Sequence, residues 1–382
     1  MVSKKSRAAK EYRKNKAYRF RIYPTKDQEE FLIKTFGCVR FVYNKMLAER
    51  NDAYEQFKDN KALLRKQKFP TPAKYKAAFE FLTEVDSLAL ANAQMNLQTA
   101  FSNFFSGKTK YPKFKTRRSR QSYTTNLLNG NIKLLDGSIK LPKMKPLRMK
   151  QHREIPSHHV IKSCTISRSA TGKYHISILT EYEHTPMKKE IKQVVGLDFT
   201  MNGLFVESEK GKKANYPRFY RRAEEKLAKE QRILSKKAKG SSRWEKQRIK
   251  VARLHEKVAN QRKDFLHKQS WRLANRYDCV VIEDLNMKGM SQALRFGKSV
   301  ADNGWGMFTT YLGYKLENQG KRLITIEKWF PSSKTCSDCG HVKAALSLAE
   351  RTYSCECGFV SDRDWNAAIN IKNEGMLIIG LS

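Results

Sequence analysis

Val194-Val195-Gly196-Leu197-Asp198-Phe199 is an apolar run interrupted by a single acid near its end. A run of this kind suits a central strand buried on both faces, as in a parallel α/β sheet. Leu204–Val206 follows closely enough to be its hairpin partner. Downstream, Cys279-Val280-Val281-Ile282-Glu283-Asp284-Leu285 repeats the pattern of an apolar strand closed by acids. A helix over about 303–320 and a strand at Leu323–Glu327 then complete a strand–helix–strand unit. In parallel sheets, ligands bind at the carboxyl edges of the strands. Asp198 and Glu283 both fall there.

Two carboxylates brought together at such an edge repel each other unless a divalent cation neutralises them. A strand-ending acid can also simply form a turn or a cap. A third candidate lies in Ser361-Asp362-Arg363-Asp364-Trp365-Asn366-Ala367-Ala368-Ile369-Asn370, which opens the last helix. Asp at a helix start is a common cap and complements the helix dipole. A cap explains one acid of the pair Asp362 and Asp364, not both. Asp198, Glu283 and Asp364 together match metal-assisted phosphodiester hydrolysis, in which two hard cations about 3.5–4 Å apart take oxygen ligands.

The chain has 76 Lys and Arg against 37 Asp and Glu, a formal charge of +39 over 382 residues. A compact state with this charge repels itself unless a polyanion neutralises it. Nucleic acid is the first partner to expect, and a membrane surface the second. With 40% hydrophobic and 11% aromatic residues, the chain is too apolar to be a disordered basic tail. No apolar stretch reaches the about 18–20 residues needed to span a bilayer. Lys4, Lys5, Arg7 and Lys10 have no apolar segment behind them, so no secretory signal is expected.

Residues 1–16 read as a basic arm that orders on nucleic acid. Tyr18–Tyr23 alternates apolar and basic side chains and is predicted to be a strand. Thr25 with Gln28 forms a capping box that opens a helix carrying Phe31, Cys38, Val42 and Met46. Residues 25–106 read as helical apart from a break at Phe69-Pro70-Thr71-Pro72. Their last helix puts Leu90, Leu97, Phe101 and Phe104 in a core. From 107 to 188 the chain turns β-rich, with strands at Ile132–Leu135, Ser138–Leu141 and His175–Tyr182, and wraps around the helical insertion. Two basic helices occupy about 217–277, the second with Val251, Leu254, Val258 and Phe265 on one side.

Cys38, Cys164 and Cys279 are isolated and read as small buried hydrophobes. The other four form Cys336-x2-Cys339-x15-Cys355-x-Cys357, with Gly340 and Gly358 after the pairs. This spacing is close to that of a structural Zn2+ ribbon in a reducing compartment, and a closed shell of four thiolates leaves no position for a reacting water. The second pair is C-x-C where C-x2-C is usual, which leaves His341 as an alternative ligand. The ribbon is expected to brace the Asp364 helix or to help load a target strand.

Gly196-Leu197-Asp198, Ile282-Glu283-Asp284-Leu285 and Asp362–Asn370 resemble the three split motifs of an RuvC-type, RNase H-like nuclease domain. Their order around a four-cysteine insertion resembles the TnpB family, transposon-encoded relatives of the type V CRISPR effectors. Tyr23-Pro24, Gln28, Gly37, Arg40, Val42-Tyr43-Asn44, Gly107–Lys115, Arg120-Gln121-Ser122 and Asn260–Phe265 resemble further signatures of that family. The resemblance implies a fold of α/β class with added α and β modules. Its parts would be a β-rich wedge-type module at 1–24 and 107–188, and a helical recognition insertion at 25–106. An RuvC-like domain at 189–333 and 361–382 would hold the ribbon at 334–360. It implies that Asp198, Glu283 and Asp364 bind two Mg2+ ions, with Asp362 the alternative third acid. It also implies a noncoding guide RNA that pairs with target DNA while the protein reads a short adjacent duplex motif. A monomeric protein in a cytoplasmic, nucleoid-associated ribonucleoprotein is expected, without membrane attachment. By analogy the segments near Tyr54, Lys76 and Ser122–Thr125, with Ser122, Tyr123 and Thr124 the named candidates, face the duplex motif. Lys108, Lys110, Lys113, Lys115, Arg117, Arg118, Arg120 and Arg262 are expected to hold nucleic-acid backbone. Two other readings stay open: a binding protein that represses without cutting, and a transposase using the same RNase H-like site.

Overall fold

The computed structural model describes residues 13–184 and 189–381, apart from 202, 294–296, 298–301 and 348. Most of the basic arm therefore lies outside the described residues. The chain divides into two compact units, one up to residue 185 and one from residue 186.

In the N-terminal unit, β1 (Arg13–Tyr23) starts earlier than its apolar alternation suggests. Arg13 to Ile22 pair antiparallel with Glu183 to Tyr174 of β7 (Tyr174–Glu183). Tyr18, Phe20 and Ile22 point into the core, the face that the alternation assigns. The chain then enters α1 (Lys26–Phe57) through the expected capping box. Gln28 N–H donates to Thr25 Oγ1 at 3.4 Å, and Thr25 N–H to Gln28 Oε1 at 3.0 Å. Helices α2 (Lys61–Lys66), α3 (Pro72–Ala78) and α4 (Ser87–Phe105) follow, with Pro72 at the start of α3, where its missing N–H costs nothing. Strands β2 (Gln121–Asn126), β3 (Lys133–Leu135), β4 (Ser138–Lys140), β5 (Leu147–Lys150) and β6 (Val160–Arg168) join β1 and β7 in one sheet, ordered β2-β6-β7-β1-β5-β4-β3. A strand from before the helices thus lies between strands from after them. Phe20 and Ile22 of the sheet share one hydrophobic core with Leu32, Phe36, Leu90 and Leu97 of the helices. Phe104 is only half-buried.

In the C-terminal unit, β8 (Val194–Phe199), β10 (Cys279–Glu283) and β11 (Arg322–Ile326) are parallel, and β9 (Phe205–Glu207) pairs antiparallel with β8. The order is β11-β10-β8-β9. Between β9 and β10 come the basic helices α5 (Phe219–Ser235) and α6 (Ser242–Arg276); α7 (Trp305–Asn318) precedes β11. Val195, Leu197, Val280 and Ile282 pack on Leu266 and Leu273 of α6 and Phe308 and Leu312 of α7. The opposite face carries Cys279, Val281 and Ile326, which meet Ile371 of α8 (Arg363–Ile378). Glycines allow α8 to approach closely. A Cβ on Gly196 would lie 2.1 Å from the Ala368 carbonyl oxygen, and one on Gly375 would lie 2.4 Å from Val281 Cγ2. The small ribbon β12 (Thr352–Ser354) and β13 (Val360–Asp362) leads into α8. Among the described residues, no helix is long and apolar enough to cross a membrane. Cys38, Cys164 and Cys279 are buried, as expected of small hydrophobes.

Candidate metal and nucleic-acid sites

The strand register puts Ile282 opposite Leu197, so Glu283 and Asp198 come next on adjacent parallel strands. Adjacent strands are about 4.8 Å apart, and alternate residues share a face. Asp198 follows Gly196 and Glu283 follows Val281 on the face covered by α8. Ala368 sits over Gly196, and Asp364 lies one turn earlier in the helix. The four residues from Asp364 to Ala368 advance about 6 Å along α8. The two residues from Gly196 to Asp198 cover about as much of the strand.

The electrostatics agree that the three acids are neighbours. Burial pushes the Asp198 carboxyl well above the usual carboxylate range, and the charges of Glu283 and Asp364 push it further, partly offset by Arg363. Burial also raises Glu283, against the hydroxyl of Ser332, which donates to its Oε1. Asp364 lies 3.4 Å from the Arg363 guanidinium. Asp362 is different: burial is outweighed by Lys213, 2.8 Å away, and by the N–H groups of Trp365 and Asp364, so its carboxyl is held below the usual range. Asp362 is the N-cap of α8, accepting from Asp364 N–H at 3.0 Å and Trp365 N–H at 3.1 Å. Asp362 is thus the cap of α8, while the charges of both Asp364 and Asp362 act on Asp198, that of Asp364 more strongly. Three neighbouring carboxylates are a donor set suited to hard divalent cations.

Among the described residues, Cys336, Cys339, Cys355 and Cys357 are the group whose ligand atoms all lie within 4.8 Å of one another, and the three carboxylates are more widely spread. Sγ–Sγ separations are 3.8 Å for Cys336–Cys357 and 3.6 Å for Cys339–Cys355. Four sulfurs bound tetrahedrally to one ion at about 2.3 Å would be about 3.8 Å apart. Each pair sits on a turn closed by a glycine in the left-handed region, Gly340 at φ 78° and Gly358 at φ 88°. The irregular C-x-C therefore still delivers both thiols, and His341 contributes its backbone carbonyl to Cys336 N–H at 2.8 Å rather than a ligand. The donor set fits a zinc ion.

Comparison with known proteins decides the family. Residues 177–294 match the OrfB model of the IS605 group described as "Probable transposase", and residues 305–371 match a "Cas12f1-like, TNB domain". Residues 14–59, which here form β1 and α1, match a model described as a "Helix-turn-helix domain". A Streptomyces pristinaespiralis protein named "Putative RNA-guided DNA endonuclease" is 38% identical over 94% of this chain and 89% of the relative. InsQ of Escherichia coli (strain K12), of the same description, is 29% identical over 95% and 93%. The TnpB-like protein L770 of Acanthamoeba polyphaga mimivirus is 27% identical over 94% and 73%. The chain belongs to the TnpB family. A solved structure titled "Cryo-EM structure of the Cas12f1-sgRNA-target DNA complex" shares the fold of this TnpB protein, with a TM-score of 0.60, 15% identity, and coverage of 91% of this chain and 83% of that one.

The candidate nucleic-acid contacts of this TnpB protein divide by burial. Lys108, Lys110, Lys113, Arg117, Arg118 and Arg120 are exposed around the loop before β2. Tyr54 is exposed on α1. Lys76 donates to Ser87 Oγ at 2.6 Å, and Thr124 bonds across strands to Thr165 at 2.8 Å, with Ser122 half-buried nearby. Tyr123 is buried against Phe36, so it supports the sheet and presents no ring face to a ligand. Lys115 lies 3.9 Å over the Tyr43 ring, its backbone is held at both ends by the Asn44 amide, and burial lowers its pKa. Arg262 is turned inward, donating to Tyr216 and Asp302 at 3.3 Å each. Tyr123 and Arg262 are thus committed to partners inside their own units, and Lys115 is half-buried. Sequence reading gave no role to Ser332, Asn366 or Asn370, whose partners are described below.

Proposed function

We propose that this protein is an RNA-guided DNA endonuclease cleaving by Mg2+-dependent phosphodiester hydrolysis at Asp198, Glu283 and Asp364. The observation that carries this reading is the approach of three carboxylates from distant parts of the sequence at one sheet edge, with Asp198 pushed toward protonation first by burial and then by the charges of its acidic neighbours. A pair of bound divalent cations would relieve that repulsion, activate water and stabilise the departing oxygen. The chain's own residues would do the rest. The carboxylates hold the cations, Arg363 offsets part of the negative charge, and the exposed bases before β2 hold phosphate backbone.

The relatives' names and the Cas12f1 complex support a guide RNA and double-stranded target DNA as partners. In this reading base pairing supplies sequence, and the N-terminal unit, with its wedge-type sheet and helical recognition insertion, reads the short adjacent motif. The C-terminal unit is the RNase H-like RuvC domain, and the protein acts as a monomer in the ribonucleoprotein. Zn2+ in the tetrathiolate site is structural, because a closed thiolate shell activates no water.

The test is a cleavage assay with co-purifying RNA, matched target DNA and Mg2+. Wild type should cut, while Asp198→Ala and Glu283→Ala should bind RNA and DNA normally and lose at least about 10³-fold in rate, as for a group acting at the transition state. A wild type that binds both nucleic acids without cutting would establish the repressor reading instead. Joined rather than severed ends would establish the transposase.

A further inference from the structure

Glu283 is tied to the segment that leads into the tetrathiolate site. The Ser332 hydroxyl donates to its Oε1, and Ser332 is itself buried. Two side-chain amides on α8 fix the backbone around this serine. Asn370 Nδ2 donates to the Ser332 carbonyl at 2.8 Å and to the Thr335 carbonyl at 2.7 Å. Asn366 Nδ2 donates to the same Thr335 carbonyl at 2.7 Å, and its Oδ1 accepts from Ser337 N–H at 3.0 Å. Asn366 is 0% exposed and Asn370 4%. The segment is also closed on itself, since Thr335 N–H and Oγ1 both donate to the Pro331 carbonyl, at 3.0 and 2.9 Å.

Asn366 and Asn370 are four residues apart and share a helix face. A slip of the segment by one residue would leave both buried amides without their carbonyls, which low-dielectric surroundings penalise heavily. The arrangement therefore has one register. The helix that carries Asp364 in its first turn also fixes, through these amides, the hydroxyl that holds Glu283.

We infer that Ser332, held by Asn366 and Asn370, is a positioning residue for Glu283: it occupies Oε1, locks the carboxylate rotamer relative to Asp364, and so raises divalent-cation affinity at the acid cluster. The inference rests on the acid-cluster reading above. Partners that orient a metal-binding carboxylate in this way typically contribute about 10–100-fold in affinity.

The experiment is Mn2+ binding to the full-length protein, followed by electron paramagnetic resonance, with the signal of Asp198→Ala subtracted. Ser332→Ala should bind Mn2+ about 10-fold or more weakly, with an unchanged melting temperature. Ser332→Thr, which keeps the hydroxyl, should recover most of the affinity. Wild-type affinity in Ser332→Ala would overturn the inference. So would a Ser332→Ala protein that melts earlier and is not restored by threonine, since Ser332 would then only support the core. If wild type and Asp198→Ala bind Mn2+ alike, the acids are not the cation site, and the inference falls together with the nuclease reading.

Discussion

Asp198 binds a proton more readily in the folded chain than in the unfolded one, because burial and the charges of Glu283, Asp364 and Asp362 oppose its own. Between its unfolded and folded pKa values the folded state holds more protons, so stability of the metal-free protein falls as pH rises through that window. Asp198→Asn removes the penalty. At neutral pH without divalent metal it should melt higher than wild type, by an amount on the order of 1 kcal/mol, or about 2–4 °C for a unit of this size. Adding Mg2+ should stabilise wild type and leave Asp198→Asn unmoved, as thermal melts would show. Arg262 predicts the opposite of a surface base. Arg262→Ala leaves the buried Asp302 without its cation and should cost roughly 3 kcal/mol, read by denaturation, without changing the salt dependence of RNA binding. At this scale the sequence was legible where chemistry and pattern coincide: Asp198 and Glu283 each close an apolar run. It could not separate Asp362 from Asp364, because a cap is defined by which residue starts the helix. Nor could it flag Ser332 or Asn370, whose partners are backbone carbonyls and a carboxylate brought near only by folding. Tyr123 has the residue type of a ligand contact, and only folding shows that its ring is buried.

The elements that build the site depend on two close approaches. Gly196 and Gly375 let α8 settle on β8 and β10, and added methyl groups would collide with the Ala368 carbonyl and with Val281. Gly196→Ala should therefore destabilise the C-terminal unit by about 1–3 kcal/mol or more and reduce cleavage, even though no acid is touched. Chelating the tetrathiolate ion should lower the melting temperature of the same unit, because its turns are stitched to the segment that α8 grips. The paired parallel strands could be read from their apolar runs, and α1 from its capping box. The start of β1 could not, because Arg13, Lys14 and Lys16 carry no apolar alternation. That part of the strand exists through its pairing with β7, where Arg13 lies 3.3 Å from Glu181.

For the whole molecule, a net charge of +39 should dominate the affinity for RNA. RNA binding should weaken by orders of magnitude between about 50 and 200 mM salt as condensed counterions cease to be released. A flat response would assign the charge to another purpose. Replacing Arg117, Arg118 and Arg120 together by Ala should make the salt slope shallower by up to about three, one per lost phosphate contact. The location of β1 between β5 and β7 also has a consequence for biogenesis. A ribosome adding about 5–20 residues per second needs roughly 8–30 s after β1 leaves the tunnel before β7 follows it. Until β5 emerges late in that interval the strand has two open edges and no partner, so a nascent chain stalled before residue 147 should be the species most easily captured by chaperones or cut by proteases.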